Sequence, residues 1–250
     1  MSDKMRIKIF SCIMLTLFFL CACRTQSVYA KEKITVGTNA EYAPFEYLDS
    51  DGNLTGFDYE LEAIAQEENL ELEWKDMPFD SLVGSMETGN IQIIAAAIGP
   101  TKEREKSVDF SDVYYTGSQS IVSSQKTPLY DFAGLSGKRV AVLEGSQSDF
   151  IVSGENTDYG VVENATVVRF KNAASAVMEL KNGGVNAVLI DTIMAEIYCR
   201  QNDDIVYQKV DGTEEDTGDL YPAGNCPRCR HSQRIYYAQN QMESCIHRAS

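Results

Sequence analysis

The feature that most limits the possible folds is a short pattern that occurs twice in the chain. At residues 86 to 92 (METGNIQ) and again at residues 180 to 186 (LKNGGVN), a helical segment ends near a glycine and leads into an apolar strand. Glycine commonly ends helices, and buried apolar strands of this kind belong to sheets covered by helices. The repeated order therefore predicts two similar α/β lobes.

The segments around the repeat extend the same alternation. Turn residues 51 to 53 (DGN) predict a hairpin, and Asp58 is expected to cap a helix. The remaining predicted elements are strands at residues 33 to 38, 91 to 98, 139 to 143, 165 to 170 and 185 to 190, and helices at residues 80 to 88 and 173 to 181.

Composition and charge exclude several classes of protein. The chain has 250 residues, 44% of them apolar, which is enough for one or two globular domains. Its formal net charge is −15, whereas phosphate binding requires a basic face. We therefore expect an acidic surface and no nucleic-acid partner.

The N-terminus has the pattern of an export signal. Lys4, Arg6 and Lys8 precede an apolar run at residues 9 to 22, which is too short to span a bilayer. Residues 1 to 30 are therefore predicted to be a signal peptide. Two processing sites are open: a lipobox that ends at Cys23, the candidate for lipidation, or cleavage after Ala30.

Several motifs occur in the order found in one known family. They are residues 34 to 38 (ITVGT), 42 to 47 (YAPFEY), 56 to 61 (GFDYEL), 99 to 104 (GPTKER), 108 to 112 (VDFSD), 135 to 142 (LSGKRVAV) and the segment that ends at Asp191. Over residues 32 to 221 the chain resembles solute-binding protein family 3, the extracytoplasmic amino-acid receptors of bacterial ABC importers.

The resemblance implies an α/β, two-lobed, periplasmic-binding-protein-like type II fold with hinge strands. Lobe 1 is expected at residues 31 to 118, lobe 2 at 119 to 208, and a return crossing to lobe 1 at 209 to 221. Polar stretches at residues 116 to 119 and 206 to 211 are the expected places for the hinge strands.

The resemblance also implies a site for both charged groups of an amino acid. A zwitterion needs a planar bidentate cation and a buried anion, and the family positions give these roles to Arg104 and Asp191. An ordinary helix N-cap is the structural alternative for Asp191. Gly99 stands where the family commonly has serine or threonine, and its carbonyl can still accept from the ligand ammonium. Ser146 and Gln147 are expected to complete the carboxylate site.

Three further positions concern the ligand side chain. Tyr42 and Phe79 match positions that sandwich it. Asn39 lies where receptors for basic amino acids have an aspartate, so an amide there favours a polar neutral side chain, although Glu41 nearby could supply a charge.

The last residues do not continue the pattern. Residues 222 to 250 contain Cys226 and Cys229 in a CxxC pair, both histidines of the chain and no sustained helical periodicity. The expected closing helices are apparently missing, as after a change of reading frame. A zinc site would use these cysteines with later cysteine and histidine residues. A single CxxC is a weak signal, and we favour a poorly structured tail without metal.

The sequence thus predicts a non-catalytic receptor that binds a free L-amino acid outside the cytoplasm and delivers it to the permease of an ABC importer. We expect an exported monomer without a cofactor, which is lipid-anchored if the lipobox that ends at Cys23 is the processing site. Two alternatives stay open. One is an enzyme that resembles periplasmic cyclohexadienyl dehydratases, with Glu41 as its acid; the other is an amino-acid sensor without transport.

Overall fold

Two five-stranded sheets organise the computed structural model, which describes residues 31 to 156, 158 to 218 and 220 to 222. The predicted signal peptide, the lipidation candidate Cys23 and the predicted tail after residue 222 lie outside the described residues.

The strands, in chain order, are β1 (Glu32–Thr38), β2 (Glu41–Tyr42), β3 (Glu46–Leu48), β4 (Leu54–Thr55), β5 (Leu70–Asp76), β6 (Ile93–Ile94), β7 (Val108–Phe110), β8 (Tyr115–Gly117), β9 (Gln119–Ser124), β10 (Arg139–Leu143), β11 (Thr166–Phe170), β12 (Ala187–Asp191), β13 (Ile205–Lys209), β14 (Glu215–Thr217) and β15 (Leu220–Pro222). The α-helices are α1 (Leu61–Glu67), α2 (Leu82–Glu87), α3 (Gln147–Ser153), α4 (Ala173–Lys181) and α5 (Thr192–Gln201). Single 3₁₀ turns lie at Asp58–Glu60, Phe79–Ser81, Arg104–Lys106 and Ala133–Leu135.

The first sheet has the order β5-β1-β6-β15-β7, and β1 pairs in parallel with β6. Helix α2 covers it with Leu82 and Met86, both buried. The strand predicted at residues 91 to 98 is shorter than expected and comprises only Ile93–Ile94; Ala97, with a φ of 44°, lies outside the extended conformation. The predicted hairpin is present as the antiparallel pair β3 and β4.

Asp58 does not cap a helix, contrary to the sequence prediction. Its buried carboxylate accepts the Ala97 N–H at 2.8 Å and the Tyr114 hydroxyl at 3.0 Å, and it forms a hydrogen bond with the side chain of Glu46. Asp58 therefore connects the GFDYEL motif to the segment that follows β6. Burial raises its pKa to about 6.

The second sheet has the order β11-β10-β12-β9-β13. Strand β10 pairs in parallel with β11 and β12, while β9 runs antiparallel to β12 and β13. The strands predicted at residues 139 to 143 and 185 to 190 and the helix at 173 to 181 are all present. Their apolar residues, such as Val140, Leu189 and Leu180, are buried.

Two antiparallel strands, β8 and β14, form a separate ribbon in which Glu215 lies opposite Gly117. The first crossing predicted from sequence coincides with β8 in part. The second does not, because residues 205 to 209 form the edge strand β13 of the second sheet. Most side chains of β13 are exposed, which is why the segment looks like a loop in the sequence.

The elements have the two-lobed α/β architecture that the sequence predicts. One apolar cluster includes Phe45 and Phe57 from the region of the first sheet together with Val122 and Val188 from the second. Cys199 on α5 is a free, partly buried cysteine. Within the described residues, no helix has the length and apolar character needed to cross a membrane.

Candidate ligand-binding site

The residues predicted to bind the α-carboxylate and α-ammonium follow or end three strands, β6, β10 and β12, at the edge of the sheets where ligands bind in open α/β folds. A small cavity there is lined by residues from the hairpin region, the β8–β14 ribbon and the end of β12: Tyr42, Phe45, Ala97, Tyr115, Gly117, Asp191, Glu215 and Thr217.

Asp191 is the last residue of β12 and directly precedes α5. Its side chain makes no capping hydrogen bond to the helix, so the ordinary N-cap alternative does not describe it. One carboxylate oxygen accepts from the Tyr42 hydroxyl, and the other accepts from Gln119 Nε2 at 2.5 Å. Burial raises the pKa of Asp191 to about 6.

Gln119 holds a second carboxyl group next to Asp191. Its amide oxygen accepts from the Ser148 hydroxyl, which turns Nε2 towards the cleft. The same nitrogen donates to Glu215 Oε1 at 3.0 Å, and the side chains of Glu215 and Asp191 hydrogen-bond to each other. Burial and the neighbouring Asp191 raise the pKa of Glu215 well above its usual range.

Arg104 lies in the 3₁₀ turn after β6 with 8% of its surface exposed. It is therefore not the solvated arginine of a helix surface. Its guanidinium donates to the carbonyl of Gly99 at 2.7 Å and to that of Gly145 at 2.8 Å. The rings of Phe79 and Phe150 lie 5.6 and 5.7 Å from its Cζ atom. Burial lowers the pKa of Arg104 to about 10, and Glu215 opposes this shift.

The backbone around Arg104 explains why glycine occupies positions 99 and 145. A Cβ at Gly99 would lie 2.7 Å from the carbonyl oxygen of Asp216, so a serine or threonine does not fit there without movement. Gly145 has a φ of 73°, which residues other than glycine rarely adopt. Both carbonyls point at Arg104, so the Gly99 carbonyl predicted for the ligand ammonium already accepts a bond.

Ser146 is the N-cap of α3, and Gln147 is the first residue of that helix. The Ser146 hydroxyl accepts from the Asp149 N–H at 3.3 Å and so caps the helix, while Gln147 is buried. Asp149 in turn accepts from the Gly145 N–H at 3.1 Å and from Arg169 at 2.8 Å. These bonds fix the turn that faces Arg104.

The residues predicted to contact the ligand side chain are in three different environments. The Tyr42 ring stacks on Phe45 at 5.8 Å and lines the cavity, whereas Phe79 lies against Arg104. Asn39 is buried and donates to the Met77 carbonyl at 3.1 Å. This bond uses one N–H of the Asn39 amide, and the role of Asn39 in ligand selectivity stays a prediction. Glu41 is exposed.

Sequence reasoning missed Glu215 and Gln119. Glu215 is one of three consecutive acids, Glu214, Glu215 and Asp216, and nothing in that run distinguishes the one that faces the cleft. Gln119 occurs in a polar stretch that was interpreted only as a crossing. A pairing of β8 with β14 would have revealed both, because it brings residue 215 opposite residue 117.

Two α/β lobes with crossing strands and a charged site between them define a bilobal solute-binding protein. The model of the family described as bacterial extracellular solute-binding proteins, family 3, matches residues 34–215. The chain belongs to this family.

Three similar proteins support the assignment. The arginine-binding extracellular protein ArtP of Bacillus subtilis is 36% identical over 192 residues, which cover 75% of this chain and 73% of the relative. An ancestral arginine-binding protein bound to glutamine has a TM-score of 0.72 at 31% identity, covering 88% of this chain and 96% of the other. The ancestral protein AncCDT-1, described as a precursor of cyclohexadienyl dehydratase, has a TM-score of 0.68 at 27% identity, covering 87% and 93%.

Proposed function

We propose that this protein captures a free L-amino acid outside the cytoplasm by binding its α-carboxylate at Arg104 and its α-ammonium at Asp191. Amino-acid binding for import by an ABC transporter is supported by the family match and by the arginine-binding relative. One observation supports these roles: Arg104, which has N–H donors beyond those bonded to Gly99 and Gly145, lies in the same cleft as Asp191, whose carboxyl group does not cap its helix.

Arg104 retains donors for a ligand. A guanidinium has five N–H groups, and the bonds to Gly99 and Gly145 leave others on the same planar group. A carboxylate can accept two parallel bonds from such a group, in a site where burial strengthens each of them. Arg104 therefore suits the α-carboxylate better than it suits a neutral group.

Closure of the two lobes completes the site. Arg104 donates to Gly99 beside the first sheet and to Gly145 after β10 of the second, and Tyr42 reaches Asp191 across the cleft. A ligand held between these groups contacts both lobes at once, as in hinge-type binding proteins. Recognition of the closed form by a membrane permease follows from this role.

The direct test is a thermal-shift and calorimetric survey of the purified protein against the twenty amino acids. A ligand at a hundred times its Kd adds about 2.7 kcal/mol of stability. Arg104→Ala and Asp191→Ala should each weaken every amino acid that binds by about tenfold to a thousandfold. The matched controls Arg200→Ala and Asp203→Ala change exposed residues away from the site and should bind normally.

Agmatine, which is arginine without its carboxylate, separates the two roles. It should bind wild-type protein weakly, and Arg104→Ala should weaken it no further, whereas Asp191→Ala should. Near-native arginine affinity in Arg104→Ala, or an equal loss for agmatine and arginine, would contradict the assignment.

A dehydratase is the alternative activity, and AncCDT-1 is the similar structure that raises it. The acid considered from sequence, Glu41, is exposed on β2. Incubation with prephenate is the test. We expect binding of amino acids without turnover, and turnover at enzymatic rates would replace the receptor proposal.

The family acts outside the cell, and we propose that Cys23 anchors this chain to the outer face of the cytoplasmic membrane. Intact mass of the mature protein provides the test. A chain that begins at diacylated Cys23 supports anchoring, whereas one that begins at Lys31 shows ordinary signal-peptidase cleavage.

A further inference from the structure

Glu215 is a carboxyl group in the cleft for which the zwitterion has no partner. Arg104 and Asp191 balance the two charges of an α-amino acid, so Glu215 adds one acidic group beyond them. Its Oε1 atom accepts from Gln119 Nε2, the nitrogen that also donates to Asp191. One neutral amide cannot compensate two carboxylates.

Two adjoining carboxyl groups require either a shared proton or a cation between them. The hydrogen bond between the side chains of Glu215 and Asp191 requires a shared proton, because one carboxyl must donate to the other. A cationic ligand group that binds between the two carboxylates would compensate their charge and make the shared proton unnecessary.

We propose that Glu215, which shares the Gln119 amide with Asp191, is a specificity-determining residue that selects amino acids with a cationic side chain. This inference rests on the proposed function and deepens it by naming the substrate class. It places a determinant of side-chain selectivity on the β8–β14 ribbon.

The groups that face Glu215 come from five different segments. They are Asp191 at the end of β12, Gln119 of β9, Arg104 after β6, Tyr115 of β8 and Tyr159 after α3. Arg104 is the only cation among these five, and a ligand carboxylate would engage it. Nothing else in this set offsets the charge of Glu215 once the ligand is seated.

The surroundings of Glu215 include aromatic rings that suit a cationic group. The cavity has aromatic walls from Tyr42, Phe45 and Tyr115, and Ala97 and Gly117 leave space beside them. Aromatic faces attract guanidinium and ammonium groups, so the walls and the carboxyl act in the same direction.

Arginine and citrulline provide the test, because citrulline has nearly the same shape with a neutral urea group in place of guanidinium. Wild-type protein should prefer arginine, and Glu215→Gln should reduce the arginine-to-citrulline affinity ratio by about tenfold or more. The control is Glu214→Gln, which changes the neighbouring exposed acid. Glu214 forms an ion pair with Lys209 at 3.6 Å. This control variant should leave the ratio unchanged.

Proton release is measured on the wild-type protein itself, independently of any variant. Calorimetry at about pH 7 in buffers of different ionisation enthalpy should show release of up to about one proton on binding arginine and almost none on binding citrulline. Arginine affinity should rise with pH until the pair is deprotonated, and Glu215→Gln should flatten that rise.

Failure of the proposed function and failure of this inference alone give different results. A wild-type protein that binds no amino acid overturns the proposed function and this inference together. A protein that binds arginine with an unchanged ratio in Glu215→Gln, or without proton release in wild type, overturns the inference alone.

Discussion

Replacing Asp58 with asparagine tests whether the buried carboxyl pair behind the site controls stability. Asp58 and Glu46 are 5% and 1% exposed, and the carboxylate of Asp58 has separate oxygens for the Ala97 N–H and the Tyr114 hydroxyl. Asparagine keeps one of those oxygens and puts an NH₂ group in the place of the other. One buried donor then loses its acceptor, which costs about 1–3 kcal/mol.

The pH dependence gives the sharper measurement. The pKa of Asp58 is raised from 3.8 to about 6 in the folded protein, so its protonated form is favoured by folding. Its contribution to stability is fully present below the unfolded pKa and is lost as pH rises through the folded pKa. At 1.36 kcal/mol per pKa unit the full effect is about 3 kcal/mol, of which roughly half remains at about pH 5.

Urea unfolding of wild-type protein and Asp58→Asn at about pH 5 and about pH 7.5 is the assay. From the lower to the higher pH, the free energy of unfolding of wild type should fall by roughly 1–1.5 kcal/mol more than that of the variant. Asp191 and Glu215 also have raised pKa values, but they titrate in both proteins. Glu60→Gln, an exposed acid of the same motif, should behave as wild type. Parallel pH profiles for wild type and Asp58→Asn would refute the reasoning.

Two more substitutions test the packing around the cleft. Gly99→Ala should lower the free energy of unfolding by about 1–3 kcal/mol because its Cβ meets the Asp216 carbonyl at 2.7 Å. Gly84→Ala in α2, where nothing lies within 4 Å, should instead be neutral or stabilising. Lys171 pairs with Asp80 at 2.7 Å across the cleft and with Glu144 at 2.9 Å, so Lys171→Gln should favour the open form by at most about 1 kcal/mol. Small-angle scattering measures the opening, and Lys33→Gln, which removes only the pair with Glu73, should not change it.

The sequence by itself determined the elements whose signals are local. Strands β10 and β12 and helix α4 follow from apolar runs that have glycines just before or after them, and the second half of the repeat is found where it was predicted. Arg104 and Asp191 were located by the family motifs that contain them, the GPTKER run and the segment that ends at Asp191. Local hydrogen bonding and burial patterns do not depend on distant residues, so short motifs are sufficient to predict them.

Only the tertiary structure decided which polar groups meet. Tyr42 and Asp191 are 149 residues apart, and Gln119 and Glu215 are 96 residues apart, yet each pair shares a hydrogen bond. Asp58 was predicted as a cap because aspartate suits that position locally, but its actual partner is the Ala97 N–H, 39 residues later. Buried polar groups take whichever partner the fold brings to them, since leaving one unpaired costs more than any local preference provides. The second carboxyl of the cleft therefore became visible only once β14 was paired with β8.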